Sequence, residues 1–220
     1  MNLVLGYNGF ARVLGHNHPG ALDPQPNPFP AKTLGSATPT FLRLVSGEFG
    51  YEIGWLLPTA LVAAVLVIVA RGRAPRTDAV RAGAVLFGGW LLIDALVLTL
   101  MHGMVHPYYS LSIAPPVAAM FALGVQQLWE RRESVRYRVA FAVLLVGTGA
   151  VVWWILNRNA RWQPVLHWAV LLVTVVVALL LLSGRILHGR AGAAVLGVAV
   201  VAVLAGPAAY AVATVQNPHS

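Results

Sequence analysis

The side chains best suited to chemistry are concentrated in one stretch of the sequence. A lone carboxylate, Asp94, is followed by His102 and His106 and then by Tyr108 and Tyr109. An imidazole can donate to a phosphate or titrate near neutral pH. Tyrosine and histidine at the edge of an apolar segment also have a simpler role, because such rings anchor at the boundary between hydrocarbon and water. Both a ligand-binding cluster and a set of boundary anchors therefore stay open.

The spacing of two histidines suggests a metal site as a further alternative. His102 and His106 are four residues apart, as in ligand pairs on helices. Gly103 and Pro107, however, indicate that the helix ends here. A His-x-His run beginning at His16 is too common in loops to identify a metal site by itself. We assign no cofactor, and a divalent metal has no support beyond this spacing.

Asp94 is the residue whose placement inside an apolar segment costs the most free energy. An ionised carboxylate inside hydrocarbon costs several kcal/mol unless it is paired or hydrated, so we expect it to face the bundle interior. Trp90, Asp94, Leu98 and His102 recur every four residues and share one helix face. Asp94 is then either the floor of a polar cavity or a neutral, hydrogen-bonded residue between packed helices.

The composition indicates which elements must position these residues. Apolar residues make up 58% of the 220 residues, charged residues 10%, and mean hydropathy is +0.73. A soluble domain has about 25% charged residues, so a soluble enzyme is excluded, and so is a disordered chain. Six apolar segments predict an all-α integral membrane protein with about six spanning helices. They are Ile53 to Ala70, Ala82 to Met101, Tyr108 to Trp129, Val139 to Leu156, Val165 to Ser183 and Ala191 to Ala213.

The net charge of +8 predicts an orientation. Ten arginines lie in the first, third and fifth connections between the segments, against five Lys and Arg on the other side. Because cytoplasmic loops are enriched in Arg and Lys, both termini and the loop around His106 are predicted to be extracytoplasmic, in a multi-pass protein of the cell membrane. This orientation explains the positive charge, so we do not predict nucleic acid as a partner. The expected partner is membrane lipid.

The region before the first span differs in composition. Residues 1–52 are rich in proline and are predicted to form an extracytoplasmic loop ending in a short interfacial helix. The bundle is predicted over residues 53–213, with an outer tail at 214–220. Phe41, Leu42, Leu44, Val45 and Phe49 would form the apolar face of the interfacial helix, with Arg43 and Glu48 on its polar face.

Two further predictions concern proline and acidic residues. Pro115 and Pro116 fall inside the third predicted span and are expected to kink it near its outer end. Glu48 and Glu52 are four residues apart before the first span. Such a pair suggests acid–base chemistry, but glutamates at an interface are usually only solvated, and we assign them no catalytic role.

Several motifs, in this order, resemble the middle and later part of bacterial family 39 glycosyltransferases, which are dolichyl-phosphate-mannose-protein mannosyltransferase-like membrane proteins. They are GYNGFAR, LRLVSGEFGYEIGWLLPTAL, RAPRTDAVRAG, FGGWLL and HGMVHPYYSLSIAPPVAAM, within residues 1–130. The resemblance implies a C-type membrane fold that transfers a sugar, mannose-like in this family, from a polyprenyl-phosphate carrier to an extracytoplasmic acceptor.

The resemblance also implies roles for individual residues. His106, Tyr108 and Tyr109 would line the cavity for the donor phosphate and sugar. The covering loop would supply Tyr7, Asn8 and Arg12. His102 would stand where family members often carry a more basic residue.

One departure limits this expectation. The family places its essential acid in a first outer loop, and no segment of this sequence matches that loop. We therefore expect a C-terminal portion that lacks the catalytic acid, does not transfer sugar alone and needs an upstream membrane segment or subunit. A non-catalytic lipid-carrier-binding or assembly subunit is the alternative. A small transporter is less favoured, because Asp94 is the only carboxylate inside the predicted spans.

Overall fold

The computed structural model describes residues 42–101, 107–185 and 188–216, and this part of the chain is helical and contains no strand. Among these residues there are two short 3₁₀ helices, at Arg43–Val45 and Pro107–Ser112. The α-helices are α1 Gly47–Glu52, α2 Leu57–Arg71, α3 Ala79–Leu100, α4 Ala114–Glu130, α5 Val135–Asn157, α6 Leu166–Ser183 and α7 Gly189–Gln216.

The predicted all-α membrane architecture is confirmed. Each of the six apolar segments largely coincides with one of the helices α2 to α7. Four of these helices, α3, α5, α6 and α7, are long and apolar enough to cross a membrane, and α2 is a shorter apolar helix of 15 residues. Helices suit this setting because they satisfy their own backbone hydrogen bonds where no water is available. The chain is a multi-pass membrane protein.

Several helix ends differ from the prediction. The first span was expected from Ile53, but α2 begins at Leu57, after a turn. The third was expected from Tyr108, but α4 begins at Ala114. The predicted kink at Pro115 and Pro116 is wrong, because these residues lie in the first turn of α4. The first four N–H groups of a helix have no intrahelical partner, so proline removes no hydrogen bond there.

Several helices extend beyond their predicted segments, α5 and α7 among them. The helix α5 begins at Val135, four residues before the predicted start. The helix α7 continues to Gln216, so the first residues of the predicted tail are helical. Hydropathy marks the apolar part of a helix, whereas a polar turn continues the same backbone hydrogen bonding beyond it.

The predicted interfacial helix is divided into two pieces. The 3₁₀ helix Arg43–Val45 and the short α1 are separated at Ser46, which is extended with φ −117° and ψ 174°. Leu44 and Phe49 are buried in the same hydrophobic cluster as residues of α2, α3 and α4. Arg43, predicted on the polar face, is buried as well. This segment therefore packs onto the end of the bundle.

The helices form two groups of three, with α2, α3 and α4 in the first and α5, α6 and α7 in the second. Contacts within each group outnumber those between the groups. Glycine allows the closest approaches: a Cβ placed on Gly124 of α4 would lie 2.5 Å from the Cβ of Ala63 on α2. A Cβ on Gly149 of α5 would clash with Thr174 of α6. Small residues permit such close packing where lipid competes for apolar contacts.

A hydroxyl pair joins the two groups. Thr59 Oγ1 on α2 lies 2.6 Å from Thr148 Oγ1 on α5, and both residues are buried. Thr148 donates its single hydroxyl proton to the carbonyl of Leu144 at 2.7 Å, so Thr59 is the donor within the pair.

The two ends of the bundle differ in their side chains. The aromatic end carries α1, the 3₁₀ helix Pro107–Ser112, the start of α2 and the end of α7, with Tyr51, Trp55, Tyr109 and Tyr210. The arginine end carries the α2–α3, α4–α5 and α6–α7 connections, with ten arginines. The arginines counted from the sequence thus lie at one end, as predicted.

Candidate functional site

Arg43 determines how α3 ends at the aromatic end. One terminal nitrogen, Nη1, donates to the carbonyls of Leu98 at 3.0 Å and Met101 at 2.7 Å. The last carbonyls of a helix have no intrahelical partner and carry partial negative charge, so a guanidinium is well suited to cap them. Arg43 is only 5% exposed. It therefore fixes the direction in which the chain leaves α3 toward residues 102–106.

Burial also lowers the pKa of the Arg43 guanidinium from its ordinary value. Loss of water around the charged form is the cause. A guanidinium begins so far above neutrality that it stays protonated, and the two carbonyl contacts help to offset the lost hydration.

Tyr108 and Tyr109 lie in the 3₁₀ helix that leads into α4. Their rings meet edge to face, with centroids 4.9 Å apart and planes at 81°. Tyr109 packs against the hydrophobic cluster that contains Leu44 and Phe49, whereas Tyr108 is 59% exposed. One ring is thus anchored in the fold and the other is presented at the surface of the aromatic end.

The 3₁₀ helix is held by polar and apolar contacts. Ser112 Oγ donates to the Tyr109 carbonyl at 3.0 Å, and the N–H of Ile113 donates to the Ser110 carbonyl at 3.2 Å. Ser110 and Ile113 are both buried, and α1 contacts this helix. The predicted site residues Tyr108 and Tyr109 therefore lie on a 3₁₀ helix that packs against α1 and is anchored by buried residues.

Asp94 lies at the edge of the buried face of α3. Its Oδ2 accepts a hydrogen bond of 2.9 Å from the indole Nε1 of Trp90, one turn earlier. The neighbouring residues Leu91 and Leu98 are buried, but Trp90 is exposed and Asp94 is half-buried. Asp94 is thus only partly turned toward the bundle interior, and its hydrogen bond is made within α3 and not between packed helices.

A second polar cluster at the aromatic end joins α1 to the second group of helices. The hydroxyl of Tyr210 on α7 donates to Glu52 Oε1 at 3.3 Å, and its ring stacks on Tyr51 at 5.5 Å. Arg158 also packs on Tyr51, with its guanidinium carbon 4.5 Å from the ring centroid, and donates from Nη2 to the Gly47 carbonyl at 2.8 Å. Glu52, predicted to be only solvated, is therefore part of an interhelical contact.

Glycine makes this cluster possible. A Cβ on Gly50 would lie 2.6 Å from the Val45 carbonyl oxygen and 2.7 Å from Arg158 Nη1. A Cβ on Gly206 would lie 2.8 Å from the ring of Trp55, which is 2% exposed. Both glycines let large side chains approach the backbone closely.

The other predicted site residues lie outside the described residues: His102, His106, Tyr7, Asn8 and Arg12. Within residues 42–101, 107–185 and 188–216, no group of three His, Asp or Glu side chains could hold a metal ion. The structure thus places Tyr108 and Tyr109 at the aromatic end of the bundle. Asp94 lies deeper, about 10 Å along α3 from Met101 at the end of that helix, as estimated from the rise per residue.

The sequence prediction missed Arg43, Arg158 and Tyr210 as parts of this end. No local signal marked Arg43, because the leucines on either side of it also fit an amphipathic helix with Arg43 on its polar face. Nothing local marks the partners of Tyr210, which lie about 160 positions earlier in the chain.

Two curated proteins of Bacillus subtilis (strain 168) match this chain. "Putative mannosyltransferase YycA" is 30% identical over 91 residues, and "Putative mannosyltransferase YkcB" is 34% identical over 93 residues. Each match covers 41% of this chain and 13% of the relative's length. This chain is similar to mannosyltransferase-like proteins. No family model matches it, and no solved structure matches it.

This similarity and the membrane-spanning helices together support a membrane glycosyltransferase-like role. The similarity and the helices support a membrane glycosyltransferase-like protein in general and do not single out family 39. The matched part is a small share of each relative, so the similarity relates this chain to only a portion of such a protein.

Proposed function

We propose that this chain forms part of a membrane glycosyltransferase of the family 39 type and binds its lipid-linked sugar donor at the aromatic end. The donor would be a polyprenyl-phosphate sugar, mannose-like, and the acceptor would be extracytoplasmic. The observation that carries the proposal is the tyrosine pair Tyr108–Tyr109, supported beside the Arg43-capped end of α3. The similarity to mannosyltransferase-like proteins supports the reaction class.

The proposal gives a chemical role to each of the predicted site residues. The exposed ring of Tyr108 offers an apolar face to a sugar, and Tyr109 holds it in place. His102 and His106 would donate to the donor phosphate from the connection between Met101 and Pro107. Asp94 would form the deeper polar boundary of the site.

The covering loop completes the proposed site. Tyr7, Asn8 and Arg12 would close over the donor and add a cation opposite its phosphate. Arg43 is a positioning residue, because its nitrogen Nη1 donates to the carbonyls that end α3. We assign no catalytic acid to this chain.

The orientation is also part of the proposal. The aromatic end would face the extracytoplasmic side of the cell membrane, together with both termini, and the arginine end would face the cytoplasm. The ten arginines at one end support this through the positive-inside tendency of membrane proteins.

A binding assay tests the proposal. The purified chain in detergent is titrated with a polyprenyl-phosphate mannose, and wild type is compared with Tyr108→Ala and His106→Ala. We expect Tyr108→Ala to weaken affinity about two- to tenfold, the range of one aromatic contact. His106→Ala should weaken it at least as much, because a charge-assisted hydrogen bond to phosphate is lost.

Matched controls lie at the arginine end. Tyr137→Ala and His188→Ala remove the same side chains about one membrane thickness away and should leave affinity unchanged. Equal weakening by the control and test variants, or no measurable binding by wild type, would contradict the proposed donor site.

A further inference from the structure

A groove runs between the end of α4 and the first half of α7 at the arginine end. Its floor is formed by small residues one turn apart on α7, namely Gly189, Ala193 and Gly197, continued by Val201. Trp129 and Arg132 form the opposite wall. The apolar part of the groove opens sideways, since Val198 and Val201 are exposed on the outer surface of the spanning helix α7.

Arg132 holds a positive charge at the mouth of this groove. Its guanidinium carbon lies 4.4 Å from the centroid of the Trp129 ring, and Nη1 donates to the Trp129 carbonyl at 2.7 Å. Stacking of this kind fixes the orientation of a guanidinium at little cost in side-chain freedom. The charge is therefore positioned by the fold and half-buried beside apolar surface.

The start of α7 adds to the positive potential at the same place. The first N–H groups of a helix carry partial positive charge, and Gly189, the first residue of this 28-residue helix, lines the groove. Glu133 contacts His188 at 2.8 Å and ties the α4–α5 connection to the residue before α7. This surface contact links the two sides of the mouth.

The surrounding charge favours an anionic occupant. The described residues of the arginine end include ten arginines and only three carboxylates, Asp78, Glu130 and Glu133. Arginines near a membrane surface attract anionic lipid headgroups. A second copy of this chain would bring the same excess of positive charge to the same place, so charge disfavours it as an occupant.

We propose that this groove binds one anionic phospholipid from the leaflet that meets the arginine end. The phosphate lies at Arg132 and the start of α7, and one acyl chain follows the small-residue floor past Gly197 toward Val201. The proposal is independent of sugar transfer at the opposite end of the bundle.

Native mass spectrometry of the full chain tests this site. The detergent-solubilised protein is offered equal amounts of phosphatidylglycerol and phosphatidylcholine, and the retained lipid is counted. Wild type is expected to retain phosphatidylglycerol preferentially. Arg132→Gln should lower that retention about fivefold, the effect of one arginine near anionic lipid.

Each variant has a matched control. Arg136→Gln removes an exposed arginine from the same end but outside the groove and should change retention little. Gly197→Leu places a large side chain in the groove. Its control, Gly147→Leu, adds the same side chain at an exposed glycine of α5. The two sites are matched, because a Cβ added at either glycine would have no other atom within 4 Å. Retention should fall only in Gly197→Leu, and size-exclusion profiles confirm that both variants fold.

Three results would overturn the proposal. Wild type could retain both lipids equally, Arg136→Gln could lose as much phosphatidylglycerol as Arg132→Gln, or Gly197→Leu could retain as much as wild type. The second result would mean that diffuse charge attracts the lipid, and the third that no acyl chain occupies the groove.

Discussion

The two ends of the bundle differ in their balance of arginines and carboxylates. At the aromatic end, Arg43 and Arg158 donate to backbone carbonyls and so hold separate chain segments together. At the arginine end, Arg71 contacts the carboxylates of Asp78 and Glu130, but arginines outnumber carboxylates there. At the arginine end Arg132 also donates to a backbone carbonyl, that of Trp129, so the excess of arginine over carboxylate, and not the carbonyl contact, distinguishes this end. This difference is what we expect if ligand recognition and membrane orientation occupy opposite ends.

The largest difference that we expect between the two ends is the side of the membrane on which each one lies. The chain has no cysteine, so Ser112→Cys at the aromatic end and Ser134→Cys at the arginine end each create a single reactive thiol. Both serines are exposed. A membrane-impermeant maleimide added to intact cells should label Ser112→Cys strongly and Ser134→Cys only after lysis. The reverse pattern would contradict the proposed orientation.

The next largest effect is expected from removing Arg43. Arg43→Ala leaves the carbonyls of Leu98 and Met101 without this donor and should lower the free energy of unfolding by about 2–4 kcal/mol. Tryptophan fluorescence during denaturant titration in detergent measures the change. Arg73→Ala, at an exposed position of the arginine end, should stay within about 0.5 kcal/mol of wild type. Equal losses in both variants would remove the distinction between the two ends.

A smaller effect is expected from Asp78, which caps α3 at the arginine end. Its Oδ1 accepts from the N–H of Arg81 at 2.7 Å, and its Oδ2 lies 3.3 Å from Arg71 Nη1. Asp78→Ala should cost about 1–2 kcal/mol in the same titration. Ser134→Ala is the matched control, since Ser134 precedes α5 without a capping hydrogen bond from its side chain. A comparable loss in the control would refute the role of the Asp78 cap.

The smallest effect is expected for Tyr210. Tyr210→Phe removes the 3.3 Å hydrogen bond to Glu52 but keeps the stack on Tyr51, so the unfolding free energy should fall by less than about 1 kcal/mol. Tyr210→Ala also removes the ring and should cost clearly more. If Tyr210→Phe and Tyr210→Ala lower the unfolding free energy by the same amount, the hydrogen bond and not the ring stack would join α7 to α1.

The sequence predicted the helices well and their ends less well, for a physical reason. Hydropathy reports the apolar middle of a helix, which lipid requires, and it located all six. Proline is compatible with a helix start as well as with a kink, and Pro115 and Pro116 occupy the start. Periodicity alone could not separate these two cases.

The structure places only some of the predicted site residues, and the contacts that the sequence missed around them are long-range. Tyr108 and Tyr109 were expected at one end of the bundle and lie there. Arg43 was assigned to a polar face by helical spacing, yet its acceptors, Leu98 and Met101, lie more than 50 positions away. Local patterns carry no information about such partners, because packing of the whole bundle brings them together.

The most direct test of the proposed function is to map where the donor touches the chain. A polyprenyl-phosphate sugar with a photoreactive group beside the phosphate is irradiated with the purified protein, and the labelled peptides are identified by mass spectrometry. We predict labelling of the peptide that contains Tyr108–Ser112, and loss of this labelling when unlabelled donor is added in excess. Labelling concentrated at residues 131–138, or labelling that unlabelled donor does not reduce, would contradict a donor site at the aromatic end.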